Sequence, residues 1–304
     1  MRLRAKNGLL TLQRRMADPS PRIPPFRRLG PADPATPVVL SVPHAGRDYS
    51  DSLLRAARLP RPKLEVLEDR HVDRLVWRAV ADGASAYIAD VPRAEIDLNR
   101  DEREVDPAMV VPRPRPSALA DSPRTRGGLG LVPARIAGAG PIWRQRIDAG
   151  ELARRIEGVH RPYHAALEAA LEAARARFGI AILLDCHSMP PRRGEADEPP
   201  VVLGDRYGAS IAPALAAAAE DAVRRAGYRV GRNSPYAGGH ITACHGRPHE
   251  GVHALQIEID RSLYLGADLK EAGPGFDRVA RLIAAVARAL ADAALAPPQA
   301  EAAE

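Results

Sequence analysis

Residues Ile180 to Arg193 read IAILLDCHSMPPRR. The opening run, Ile180 to Leu184, is short and uninterruptedly apolar, the pattern of a strand buried on both faces of a parallel sheet. It breaks into Asp185, Cys186, His187 and Ser188, then Met189 and two prolines. Asp-x-His at the end of such a strand puts two polar groups at the carboxyl edge of the sheet, where open α/β folds bind ligands. A neutral imidazole is a metal ligand, and a nearby carboxylate can fix its tautomer.

Three other stretches leave a strand in the same way. Val38 to His44 (VVLSVPH) ends in Pro43-His44-Ala45-Gly46, and Ala94 to Arg100 (AEIDLNR) ends in Asp97-Leu98-Asn99-Arg100. Val252 to Asp260 (VHALQIEID) carries Gln256, Glu258 and Asp260 at alternate positions, so the pleat turns all three one way. Four strands that deliver His, Asn-Arg or Glu point to one shared site.

Working outward, strands alternate with helices, which predicts an α/β fold: a mixed, mostly parallel sheet with helices on both faces. Strands are expected at 37–42, 85–91, 96–98, 201–203, 228–230 and 252–259. Helices are expected at 51–58, 69–82, 151–177 with a break at Pro162, 210–226 and 276–295. The last carries Val279, Leu282, Ile283, Val286 and Leu290 on one face. Residues 1–36, rich in Pro and Arg, are expected to be disordered or extended. A single domain is expected over 37–295, with a disordered tail at 296–304. The acid-free stretch Met1 to Arg15 reads as a non-native extension, with Met16 as a reasonable start. Residues 106–141, dense in Pro, Gly and Arg, are too long for an ordinary connection and read as a lid over the site.

Composition narrows the function classes. Of 304 residues, 45% are hydrophobic, enough for a core, and the net charge is +6. The arginines are dispersed, with no basic block interleaved with aromatics, so the charge argues for a small anionic substrate and against nucleic acid. No apolar run reaches the ~20 residues that span a bilayer. Two cysteines, Cys186 and Cys244, form no disulfide framework and fit a reducing cytoplasm. There is no GxSxG elbow and no Walker loop; Gly127-Gly128-x-Gly130 opens no βαβ unit. Cys186 beside His187 is a poor nucleophile pair, because such partners usually lie far apart in sequence.

A hydrolytic metal site needs three protein ligands and one open position. His44 and His187 are the two histidines placed just after strands. A carboxylate should complete the set, with Asp48, Asp69 and Asp73 available and His71 competing. Asp69 and Asp73 lie four apart, and on a helix would share a face. Glu258 is the candidate general base for the water. Asn99 and Arg100 offer an amide and a charged fork suited to a carboxylate or a developing oxyanion. Arg93 and Arg126 are further arginines for that role.

With these residues in hand, the chain resembles the N-formylglutamate amidohydrolase (deformylase) family. The matching stretches are SVPHAG (41–46), EDRHVDRL (68–75), RAEIDLNR (93–100), RTRGGLGLVP (124–133), RPYH (161–164), LLDCHSMP (183–190), YAGGHIT (236–242) and HALQIEIDRSLY (253–264). The family is similar to the zinc carboxypeptidase and aspartoacylase superfamily. The resemblance implies a phosphorylase/hydrolase-like α/β fold and hydrolysis of an amide with one zinc, or another divalent ion, per chain. Carboxypeptidase-like sites take a Glu three residues after the first His, where this chain has Arg47, so Asp69 is expected as the remaining ligand beside His44 and His187. The resemblance also places Glu258 as base and Asn99, Arg100, Arg93, Arg126, His240 and Thr242 on the substrate. Asp73, Asp185, Ser188 and Gln256 are expected to support the ligands from behind. The expected reaction is N-formyl-L-glutamate to formate and glutamate, as in histidine breakdown, in a monomer or small homo-oligomer. The alternatives are a carboxypeptidase or deacylase of another N-acyl amino acid, and a non-catalytic ligand-binding relative.

Overall fold

A computed structural model describes residues 25–120, 122–192 and 198–297. Among these, seven strands form one sheet: β1 (Phe26–Leu29), β2 (Val38–Val42), β3 (Ser85–Ala89), β4 (Ala181–Met189), β5 (Val201–Gly204), β6 (Val230–Arg232) and β7 (Val252–Asp260). Their order is β1-β3-β2-β4-β7-β5-β6. β1 and β3, and β7 and β5, are antiparallel, and the other pairings are parallel. Helix α1 (Arg161–Phe178) covers one face; α2 (Pro213–Arg225) and α3 (Phe276–Leu295) cover the other.

The two central strands set this layering. All nine residues of β4 and all nine of β7 are buried. Leu183 packs with Val39, Ala254 and the α1 stripe Tyr163, Leu167 and Leu171. Its neighbours Ile182 and Leu184 join Leu40, Leu255 and the apolar faces of α2 and α3. Successive side chains of a strand point to opposite faces, so a continuous apolar run feeds both layers. Each such side chain contributes roughly 1.5–3 kcal/mol by burial.

Several expected elements differ. Residues 26–29, placed by composition in a disordered or extended segment, form the edge strand β1 against β3; residues 1–24 and 298–304 lie outside the described part. The segment 96–98 forms no strand and runs into a turn at 98–99, because Asp97 accepts the backbone N–H of Asn99 and so closes the chain on itself. The helix expected over 69–82 is two short ones, Val72–Leu75 and Trp77–Ala81. It starts late because His71 sits at φ 63, in the left-handed region. Pro162 does not break the chain: a π turn at Ile156–His160 carries it directly into α1, and such turns absorb an irregular donor pattern. Residues 240–245, for which no helix is expected above, form a short one.

The segment 106–141 is packed over the carboxyl edge of the sheet. Val110, Leu131, Val132 and Ile136 make a second apolar cluster with Leu53, Leu64, Ile142 and Trp143.

Candidate active site

On the α1 face, apolar rows give way to polar ones toward the carboxyl edge. After Val39, Leu183 and Ala254 come Ser41, Asp185 and Gln256, paired across β2, β4 and β7. The next row sets His187 beside Glu258. Register alone therefore brings the Asp-x-His and Gln-x-Glu motifs together. Asp185 is held by Ser41 Oγ at 2.8 Å, and that hydroxyl lies 2.9 Å from Tyr163 Oη.

His44, Asp69 and His187 converge, each offering one ligand atom, all within 4.8 Å of one another. His44 Nε2 meets Asp97 Oδ1 at 2.7 Å, and His187 Nε2 meets Asp185 Oδ2 at 2.8 Å. A carboxylate on one ring nitrogen fixes the tautomer and leaves the other nitrogen as a lone-pair donor, the arrangement found behind metal-bound histidines. The other nitrogens both face Asp69 Oδ2: His44 Nδ1 at 3.4 Å and His187 Nδ1 at 3.0 Å. His44 Nδ1 is buried and has no hydrogen-bond partner. A buried orphan nitrogen is costly unless something binds it. The donor set, two nitrogens and a carboxylate oxygen, fits a divalent zinc-like ion. Burial raises the Asp69 pKa, but the two histidines outweigh it and hold it well below the carboxylate range. Asp69 Oδ1 is steadied by Ser188 Oγ (3.2 Å) and Arg261 Nη2 (3.1 Å).

Glu258 is buried and accepts from Gln256 Nε2 at 2.9 Å. Burial pushes its pKa up from 4.5 to about 7, with His187 opposing and Asp69 adding to the rise. That is the range in which a carboxylate serves as a general base near neutral pH. Asn99 stands between the rows: Oδ1 accepts the N–H of Ile241 (2.8 Å), while Nδ2 lies 3.2 Å from His187 Nε2. Gly239 is required for this approach, since a Cβ there would lie 2.2 Å from Asn99 Oδ1.

These groups open onto a cavity of about 720 Å³. Its floor includes His44, Asp69, His187 and Glu258, its sides Arg93, Arg100 and Arg261, and its roof Arg124 and Arg135 from the 106–141 segment. Arg100 donates to the carbonyls of Asn99 (2.6 Å) and Leu129 (2.8 Å), which ties it to both turn and roof. Arg93 grips Asp97 Oδ2 through Nε and Nη2, both at 2.8 Å.

The structure thus brings together His44, Asp69, His187, Glu258, Asn99, Arg100, Arg93, Ser188 and Gln256 at the cavity, with Asp185 behind them. It does not bring in Asp73, because the turn at His71 sends Asp69 inward and Asp73 outward. Asp73 instead pairs with Arg47 (2.6 Å) and Arg27 (3.2 Å). That also accounts for Arg47, which points away from the ligand set. Arg126, His240 and Thr242 do not line the cavity; Thr242 Oγ1 donates to the Gly239 carbonyl and shapes the turn that admits Asn99. Asp260 does not line the cavity; it caps the turn after β7 by accepting from Ser262. Cys186 faces the apolar core, and burial beside Asp185 pushes its thiol well above the usual range, which makes it a poor nucleophile. Sequence reasoning passed over Asp97 as a site residue. Its signal was the Asp-x-Asn of DLNR, an Asx-turn pattern.

Residues 36–265 match the sequence profile of the N-formylglutamate amidohydrolase family. The chain is 32% identical over 236 residues to the N-formylglutamate deformylase of Pseudomonas putida, covering 75% of this chain and 82% of that protein. It is 31% identical over 250 residues to that of Pseudomonas aeruginosa, covering 78% and 88%. Among solved structures, the N-formylglutamate amidohydrolase of Ralstonia eutropha JMP134 superposes with a TM-score of 0.82 at 36% identity, covering 89% of this chain and 98% of that one. Gene product Atu2144 of Agrobacterium tumefaciens shares the fold at a TM-score of 0.60 and 19% identity, covering 87% and 93%. The chain belongs to the N-formylglutamate amidohydrolase family.

Proposed function

We propose that this chain hydrolyses the amide of N-formyl-L-glutamate to formate and glutamate, with His44, Asp69 and His187 holding one divalent ion, zinc by preference. When bound, such an ion supplies Lewis-acid polarisation and makes water acidic at neutral pH. Glu258, adjacent to His187 in register, takes the proton of the attacking water and passes it to the leaving nitrogen. Asn99 and Arg100 hold the substrate from the side of the cavity, and the roof cations Arg124 and Arg135 face its carboxylates. Two unpaired cysteines, Cys186 and Cys244, are consistent with a reducing cytoplasm as its place of work.

The observation that carries this reading is the convergence of His44 Nδ1 and His187 Nδ1 on Asp69, each ring backed by its own carboxylate. The test is formate release from N-formyl-L-glutamate with and without a chelator, beside N-acetyl-L-glutamate and N-formyl-L-leucine. Chelator-sensitive release, fastest from N-formyl-L-glutamate, is expected. Release untouched by chelation would sink the metal role, and equal turnover of all three would sink the substrate assignment.

A further inference from the structure

Behind the Asn99-Arg100 turn, away from the cavity floor, lies a second cluster of imidazoles: His160, His164, His240 and His245. His160 and His164 are four apart across the join of the π turn and α1, so they share a face. Their ring centroids are 4.4 Å apart, and His240 lies 5.9 and 5.2 Å from them. One ring nitrogen from each of these three falls within 4.8 Å of the others.

The hydrogen bonds say which nitrogens are free. His160 Nε2 donates to the Arg100 carbonyl at 2.8 Å. Its Nδ1 therefore carries a lone pair; it is buried with no hydrogen-bond partner, 3.6 Å from Glu102 Oε1, in a side chain only 3% exposed. His164 Nε2 donates to the Leu98 carbonyl at 2.9 Å, and His245 Nδ1 donates to Glu168 Oε2 at 3.1 Å. The remaining nitrogens of this pair, His164 Nδ1 and His245 Nε2, face each other at 3.0 Å. Leu98 and Glu168 require two N–H groups, and the N···N contact requires a third, whereas two neutral imidazoles carry only two. Either an added proton or a metal ion beside these nitrogens satisfies the pair. Second ring nitrogens donating to a backbone carbonyl or a carboxylate are the usual backing of metal-bound histidines.

We propose that His160, His164 and His240 form a second metal site, separate from His44, Asp69 and His187, that takes a divalent zinc-like ion with His245 as the adjoining nitrogen. Three imidazoles suit zinc, copper or nickel and exclude calcium and magnesium, which take oxygen ligands. Because His160 and His164 bind the carbonyls of Arg100 and Leu98, an ion there would stiffen the turn that presents Asn99 and Arg100 to the cavity.

The experiment titrates Zn²⁺ into chelator-stripped full-length His187→Ala protein by calorimetry, so that the first site is disabled. One equivalent should still bind. Adding His240→Ala, a position at the edge of the cluster, should weaken that binding by at least about 10–100-fold while circular dichroism stays unchanged. Co²⁺ in the single variant should give the absorption of a nitrogen-ligated ion, lost in the double variant. No binding by His187→Ala, or equal binding by both folded variants, overturns the second site. Neither readout uses turnover, so a wrong substrate assignment would leave the result intact.

Discussion

Asp97→Asn is the most discriminating change. The buried Asp97 carboxylate has four partners: His44 Nε2 at 2.7 Å and the Asn99 N–H at 2.9 Å on Oδ1, and two Arg93 nitrogens at 2.8 Å on Oδ2. An amide has the same shape but only one acceptor atom. If its oxygen faces Arg93, its NH₂ meets the Asn99 N–H and forces His44 to accept at Nε2. The imidazole proton then moves to Nδ1, the nitrogen aimed at Asp69, and the ligand lone pair is lost. Metal affinity should fall by about 10–100-fold. Losing one partner of a buried ion pair leaves Arg93 uncompensated, at about 3–5 kcal/mol. Burial raises the Asp97 pKa, but Arg93, Arg100 and His44 outweigh it and hold it well below the carboxylate range. A depressed carboxylate stabilises the fold above its unfolded-state value and loses that contribution as pH falls through the folded one. The stability gap between wild type and variant should therefore be full at neutral pH and close under acid. Zinc calorimetry and chemical denaturation at several pH values measure both effects. An Asp97→Asn protein that matches wild type in zinc affinity and stability would refute the reasoning.

Glu258→Gln should keep the metal and KM while kcat falls by ~10²–10⁴; near-wild-type turnover would move the base elsewhere. The same variant has a stability signature in chelator-treated protein. A carboxyl whose folded pKa is raised from 4.5 to about 7 stabilises at low pH and loses that contribution as pH rises between those values, so Glu258→Gln should gain up to about 3 kcal/mol on wild type between about pH 4 and pH 8. A pH-independent difference in denaturation midpoints would contradict this. Arg100→Lys keeps charge but loses the fork, so KM should rise more than kcat falls; the reverse pattern would mean that Arg100 polarises the scissile carbonyl. In limited trypsinolysis, a substrate analogue should slow cleavage after Arg124 and Arg135, which line the cavity, but not after the exposed Arg144 and Arg146, which do not; uniform rates would remove the roof from substrate binding.

What could be read in the chain was what local pattern encodes. Apolar runs ending in Asp-x-His and Gln-x-Glu fixed β4 and β7, and their alternation turned Asp185, His187, Gln256 and Glu258 to one face. What could not be read depended on single dihedrals and side-chain competition. An Asp69–Asp73 pair on a helix would share a face, but one left-handed residue, His71, separates them. AEIDLNR has a strand's composition, but Asp97 captures the Asn99 N–H and makes it a turn. In the roof, Arg124 and Arg126 are equivalent by composition; only the fold of 106–141 decides which one lines the cavity.

The same residues account for how a substrate would be oriented. The floor gathers acids, Asp69, Asp97, Asp185 and Glu258, around two histidines. With Arg93 committed to Asp97, Arg261 to Asp69 and His44 and His187 each set against carboxylates, the floor already contains opposed charges and attracts a cation. The sides and roof are different: Arg100 spends its hydrogen bonds on neutral carbonyls, with Asp97 Oδ2 at 3.8 Å from its Nη2, and Arg93 and Arg124 add to the positive field that it feels. These cations therefore leave a net positive potential facing the cavity, which attracts anions. On the proposed reading, a dicarboxylate amide entering this field would turn its carboxylates up toward the arginines and its acyl carbon down toward Glu258 and the His44–Asp69–His187 set. A neutral amide of the same size would gain no such orientation, and its loss should appear mainly in kcat/KM.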